Sequence, residues 1–178
     1  MTPLIRALLP LAALCTLCAS CSSEPSERPE SPVEIADTRD EPPGDFTLSV
    51  VVYSTAPSTP TTAPARRPAR YIVEPDWLLR AAVGPGCTET TYPAGVRQLT
   101  RAELGELWKL CQSAGLTSDN TEGRLRSPTQ FDAPTRGTTY LISVTESQHR
   151  RTFAFETGAT APQRKLIEQL AKLSWQSK

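Results

Sequence analysis

The residues able to move a proton at neutral pH are few. The chain has one histidine, His149, in the stretch Ser147-Gln148-His149-Arg150-Arg151. That stretch is polar and lies between two apolar alternations, so it reads as the tip of a hairpin. Two arginines follow the ring in sequence, and Glu146 is the one nearby carboxylate that could orient it. A Ser-His-Asp triad needs a histidine that accepts the nucleophile's proton, and no G-x-S-x-G elbow accompanies this one. A solvated turn residue accounts for His149 better than a catalytic base. Metal chemistry has as little support: H-E-x-x-H and a calcium-loop pattern are both missing. Asp119, Glu122 and Asp132 share one polar segment and could meet a cation, but their irregular spacing also suits a solvated loop. Gly84-Pro85-Gly86 is not a phosphate-binding P-loop, and no Rossmann glycine pattern precedes a helix. No cofactor is implied. A glycosidase needs two carboxylates at the right separation, and sequence spacing cannot locate such a pair.

Arginine offers a different chemistry. Arg66-Arg67 with Arg70, Arg124 with Arg126, and Arg150-Arg151 fall in loops or near strand ends. If Arg66, Arg67, Arg70, Arg150 and Arg151 converge, they make an anionic-ligand patch suited to phosphate or carboxylate groups. The alternative is scattered solubilising charge. Of the three tryptophans, Trp108 is expected in the core, Trp77 at an exposed turn, and Trp175 closing the last helix.

The first residues concern delivery. Arg6 precedes an apolar run, Ala7 to Leu17, followed by the small residues Ala19 and Ser20 and then Cys21. A charged start, an apolar middle and a small-residue cleavage site make a secretory signal. The run is far shorter than the roughly 20 residues a membrane-spanning helix needs. Leu17-Cys18-Ala19-Ser20-Cys21 resembles the lipobox of bacterial lipoproteins, with Cys18 where leucine is usual. The resemblance covers residues 1–21. It implies cleavage after residue 20, a diacylglyceryl thioether on Cys21 and acylation of the new amino terminus, as by palmitate. Buried acyl methylenes contribute about 0.8 kcal/mol each, so several chains hold firmly. Ser22, with no aspartate there, resembles the pattern sorted to the outer membrane. The folded part is also faintly similar to uncharacterised domains of other bacterial lipoproteins, which carries no motif or activity.

If Cys15 and Cys18 leave with the signal and Cys21 takes the lipid, Cys87 and Cys111 remain as an even pair in an oxidising compartment. A disulfide between them would contribute roughly 3.5 kcal/mol in the chain-entropy account. Two separate buried thiols are the other reading. The formal net charge of zero hides a split: residues 22–45 carry eight acids and two arginines, and residues 46–178 carry sixteen basic residues and eleven acids. Residues 21–45 therefore read as the lipidated cysteine and a disordered, acidic Pro/Ser-rich tether, averaging about 25 to 30 Å end to end. Residues 46–178 read as one domain.

Within that domain, Phe46, Leu48, Val50 and Val52 alternate with less apolar neighbours and predict a strand. Residues 54–69 carry four prolines and predict a long loop. Arg70–Glu74 and Trp77–Val83 predict two more strands, and residues 87–99 include room for a short one. Thr100-x-x-Glu103 is a capping box for a helix with Leu104, Leu107, Trp108 and Cys111 on one face, ended by Gly115. Thr138–Val144 and then Phe153 and Phe155 predict a hairpin around the ESQHRR stretch. Thr160-Ala161-Pro162-Gln163 reads as a second capping box, before a helix striped by Leu166, Ile167, Leu170 and Leu173. The expected fold is α+β: an antiparallel sheet of about four to six strands with two helices on one face, in the order β-β-β-α-β-β-α.

The leading expectation is a membrane-anchored envelope lipoprotein acting as a non-enzymatic binding or interaction module. Its expected partners are the membrane, through the lipid, and an envelope protein or anionic polymer, with no role for nucleic acid. A carboxylate-pair hydrolase of an envelope polymer and a tethered inhibitor or chaperone are the alternatives.

Overall fold

The computed structural model describes residues 41–117, 123–126, 131–156 and 161–175. The chain divides into two units, Met1–Ile35 and Ala36–Lys178, and every described residue belongs to the second. Six strands, β1 (Thr47–Ser54), β2 (Ala69–Val73), β3 (Leu78–Val83), β4 (Gly95–Gln98), β5 (Thr138–Glu146) and β6 (His149–Phe155), make one antiparallel sheet. Its order is β4-β3-β2-β1-β5-β6. Helix α1 (Arg101–Ser113) joins β4 to β5, and α2 (Ala161–Trp175) closes the chain. Both helices lie on one face of the sheet, so the fold is the α+β arrangement the alternation predicts.

Register explains which side chains meet the helices. Leu48, Val50 and Val52 of β1 stand opposite Val73, Tyr71 and Ala69 of β2, and opposite Val144, Ile142 and Tyr140 of β5. Strand period two sends all of them to the same side, where they are buried with Leu104, Leu107, Trp108 and Cys111 of α1 and Leu166, Ile167, Leu170 and Leu173 of α2. The Trp108 ring packs edge-on against Phe46, with centroids 5.3 Å apart. Trp175 does not close the stripe; it is 64% exposed, because α2's buried face has already turned past it.

The ends of α1 follow from their residues. Thr100 accepts from the Glu103 amide, and Glu103 returns the bond to the Thr100 amide. At the far end Gly115 has φ 70°, the Leu116 amide bonds the Cys111 carbonyl at 3.0 Å, and the Gly115 amide bonds the Gln112 carbonyl at 2.9 Å. This is a Schellman close, which the left-handed glycine permits. For α2, Thr160 lies outside the described residues, while the buried Gln163 amide donates to the Ala114 carbonyl at 3.0 Å and ties the two helices together.

The proline-rich loop is not simply a spacer. Its 3-10 turn, Pro64–Arg66, places Ala65 in the core, and the turn packs against α2. The β5–β6 hairpin is tighter than the ESQHRR stretch suggests. Glu146 pairs with His149, so the turn is Ser147-Gln148 alone, with φ 48° and 66°. A two-residue loop with both φ positive matches strand twist, and Asp45 anchors it by accepting the Ser147 amide at 2.8 Å and the Gln148 amide at 2.5 Å. Those amides, Gln148 first, hold the Asp45 carboxyl below its ordinary range. Among the described residues no helix is long and apolar enough to cross a membrane.

Candidate functional site

The face of the sheet turned away from the helices carries the other half of each alternation. Across it runs a row of hydroxyls, Ser49 of β1 opposite Ser143 of β5 opposite Thr152 of β6. The Ser143 and Thr152 hydroxyls share a hydrogen bond of 2.9 Å. One pair along on the same face come Arg70, Val51, Leu141 and Ala154, and one pair back come Thr47, Thr145 and Arg150. This face is partly covered, since Val51 is 0% exposed and Leu141 is buried. Phe131 lies beside it with its ring 5.1 Å from that of Tyr53, and the Tyr53 hydroxyl donates to the Glu89 carboxylate.

Among the described residues, two hollows adjoin on this face. One, of about 280 Å³, is lined by Ser49, Arg70, Glu89, Phe131, Leu141, Ser143, Arg150 and Thr152. The other, of about 260 Å³, shares Ser49, Arg70, Ser143 and Arg150 and extends towards Thr47, Ile72, Glu74, Pro75 and Thr145. Arg70 is the unusual group. It is 7% exposed, yet no described carboxylate pairs with it. Its Nη1 donates to the Ser49 hydroxyl at 2.8 Å, and its Nε is buried with no hydrogen-bond partner. Burial weakens the hold of Arg70 on its proton, and the neighbouring Arg150 cation acts in the same direction, against opposing contributions from Tyr53 and Glu89. An arginine stays charged regardless, so the result is a cation in low dielectric with incomplete compensation. Glu89 faces the same hollow and offsets the Arg70 charge in part, without an ion pair between them. Its carboxyl is held low chiefly by the Tyr53 hydroxyl, whose own pKa is pushed up to about 12 by burial and by Glu89.

The five arginines expected to converge are divided by the fold. Arg70 and Arg150 line the same two hollows. Arg66 is exposed on the 3-10 turn against α2. Arg67 turns back into its own loop, donating from Nη2 to the Thr62 carbonyl at 2.7 Å. Arg151 pairs with Glu146, at a register position on the helix side. Strand period two makes this separation unavoidable for Arg150 and Arg151, which are neighbours in sequence and so point to opposite faces.

The expected pairing of Cys87 with Cys111 is corrected: both thiols are free and buried. Cys111 sits in the core beneath α1, as its helical spacing predicts, and burial pushes its thiol far up. Cys87 lies outside that core, in the loop after β3, with its Sγ 3.5 Å from the Ala82 carbonyl. Burial raises its thiol as well. His149 is exposed at the first position of β6. Trp77 is exposed at its turn with φ 69°. Asp119 and Glu122 lie outside the described residues, and among those described no three metal-ligating side chains gather. Each hollow is lined by one carboxylate, Glu89 or Glu74, and Glu74 is already paired with Arg80 at 3.0 Å.

Sequence reasoning missed Ser49, Ser143, Thr152, Glu89 and Phe131. The hydroxyls were legible as the weaker half of two strand alternations, but their alignment depends on the β1–β5–β6 register, which a single sequence does not reveal. No family model matches the chain, and no curated protein is significantly similar to it.

Proposed function

We propose that this chain is an exported bacterial lipoprotein, anchored in the cell envelope by lipid on Cys21, whose domain is a binding module working through the sheet face that neither described helix covers, its open face. The delivery half of this reading rests on the charged start, the apolar run and the Leu17–Cys21 lipobox resemblance, followed by the acidic Pro/Ser-rich stretch suited to a tether. The sorting pattern after Cys21 favours the outer membrane.

The binding half rests on one observation: Arg70, buried on that face beside a hollow and, among the described residues, in no ion pair with a carboxylate. A buried charge without its counter-charge costs stability. Selection keeps such a group where a ligand completes it, as at other sites with perturbed titratable groups. The partner is then an anionic component of the envelope. Binding rather than catalysis is favoured, because the hollows offer donors, and the Glu89 carboxylate beside them is engaged by the Tyr53 hydroxyl among the described residues.

Delivery is tested by intact-mass measurement on the protein extracted from membranes by detergent. The expected mass is that of a chain beginning at Cys21 plus a diacylglyceryl group and an amino-terminal acyl chain. An unmodified chain, or one cut elsewhere, would contradict the lipoprotein reading.

A further inference from the structure

The hollow on the open face has a donor set more specific than a basic patch. Four adjacent strands contribute to it: β2 gives Arg70, β1 gives Ser49, β5 gives Ser143, and β6 gives Thr152 and Arg150. Ser49 accepts from Arg70, so its own hydroxyl hydrogen is free to donate elsewhere. Ser143 and Thr152 share one hydrogen bond, which uses one of their two hydrogens and leaves the other. The Arg70 guanidinium has nitrogens beyond the Nη1 that is engaged, and Arg150 is exposed with no partner among the described residues. Four independent donor groups therefore face one cavity, two of them cationic.

We propose that this hollow binds a phosphate group, held between Arg70 and Arg150 over the Ser49–Ser143–Thr152 hydroxyl row. The inference rests on the open face being the binding face and names the ligand chemistry. A planar carboxylate has two oxygens whose acceptor sites lie in one plane, two of them taken by a single guanidinium fork. Phosphate presents at least three acceptor oxygens on a tetrahedral centre and carries more charge, so it uses donors that a carboxylate would leave idle. Guanidinium groups suit it through parallel N–H bonds. Glu89 lines the same hollow, and its negative charge disfavours a polyanion running past it. The adjoining hollow, extending towards Thr47, Ile72, Glu74, Pro75 and Thr145, has room for a short neutral remainder. A phosphate monoester with a small hydroxylated substituent fits both spaces, and inorganic phosphate is its minimal form.

The test is calorimetric titration of the full-length protein in neutral detergent with inorganic phosphate, with glycerol 3-phosphate and with acetate. Phosphate and glycerol 3-phosphate should both bind saturably, and acetate should bind roughly tenfold more weakly or worse. Tighter binding of glycerol 3-phosphate identifies an esterified headgroup as the source; equal binding identifies free phosphate. Arg150→Gln, at an exposed position that folding does not need, should weaken both phosphates about tenfold or more, and Ser143→Ala should weaken them further in combination. Absence of saturable binding by either phosphate, acetate binding as tight as phosphate, or unchanged binding in Arg150→Gln would each overturn the proposal. Should phosphate fail while open-face positions still contact an envelope component, the phosphate assignment falls and the open-face reading stands.

Discussion

Trp108→Ala is expected to destabilise the domain by about 3 to 5 kcal/mol, the range for removing a buried large aromatic. Trp108 is 5% exposed on the inner side of α1 and meets Phe46 edge-on at 5.3 Å. Phe46 is the first buried residue of the described chain, so this contact fixes where the folded part begins relative to α1. Edge-to-face aromatic pairs add about 0.5 to 1.5 kcal/mol beyond the area they bury. Small domains have only about 5 to 15 kcal/mol in total, so the variant should sit near the edge of folding at room temperature. Urea unfolding followed by far-ultraviolet circular dichroism checks this without relying on the lost indole. A loss under about 1 kcal/mol would mean that Trp108 is not a core residue.

Arg70→Met is expected to do the reverse, raising stability by about 1 to 3 kcal/mol in phosphate-free buffer. Methionine keeps an unbranched stem to cover Val51 and removes the buried cation and its unpartnered Nε. Ser49 loses a donor, but Ser49 is only half-buried and water can replace it. The same change should abolish stabilisation by phosphate, because a ligand that binds the native state stabilises it by an amount that grows with the logarithm of its concentration over Kd. The wild-type chain should gain thermal stability as phosphate is added, and Arg70→Met should not. A less stable variant would show that the charge of Arg70 is fully compensated in the free protein, which removes the main physical reason for assigning it a ligand. Stability lost to a functional group in this way is a common trade-off in binding sites.

The elements legible in the sequence are those whose signals are local. The β1 alternation, the Thr100–Glu103 capping box and the Gly115 stop each depend on residues within a turn or two of one another, and each element stands where those signals place it. β4 was legible only as an uncertain short strand because it is an exposed edge: Gly95, Val96 and Gln98 all face solvent, so no apolar alternation marks it. The hairpin turn was placed too broadly because Ser147 and Gln148 carry no Asn-Gly signal, and their left-handed conformation is stabilised from far away by Asp45. The site was the least legible part. Arg70 and Arg150 are 80 positions apart, and only the β2-β1-β5-β6 order brings them to one hollow. The same register separates Arg150 from Arg151, which sequence proximity had grouped. The cysteine pair failed for a related reason: an even count in an oxidising compartment says nothing of where two thiols point, and α1 directs Cys111 into the core while Cys87 stays outside it.

The claim that the open sheet face is the binding face can be tested most directly by site-specific photo-crosslinking in intact envelopes. A crosslinking residue is placed at Thr145, beside the hollow, or at Glu168, exposed on α2 across the sheet. The account predicts a discrete adduct from Thr145 that disappears in the Arg70→Met background, and none from Glu168. An adduct from Glu168 with none from Thr145 would place the partner on the helices and contradict it.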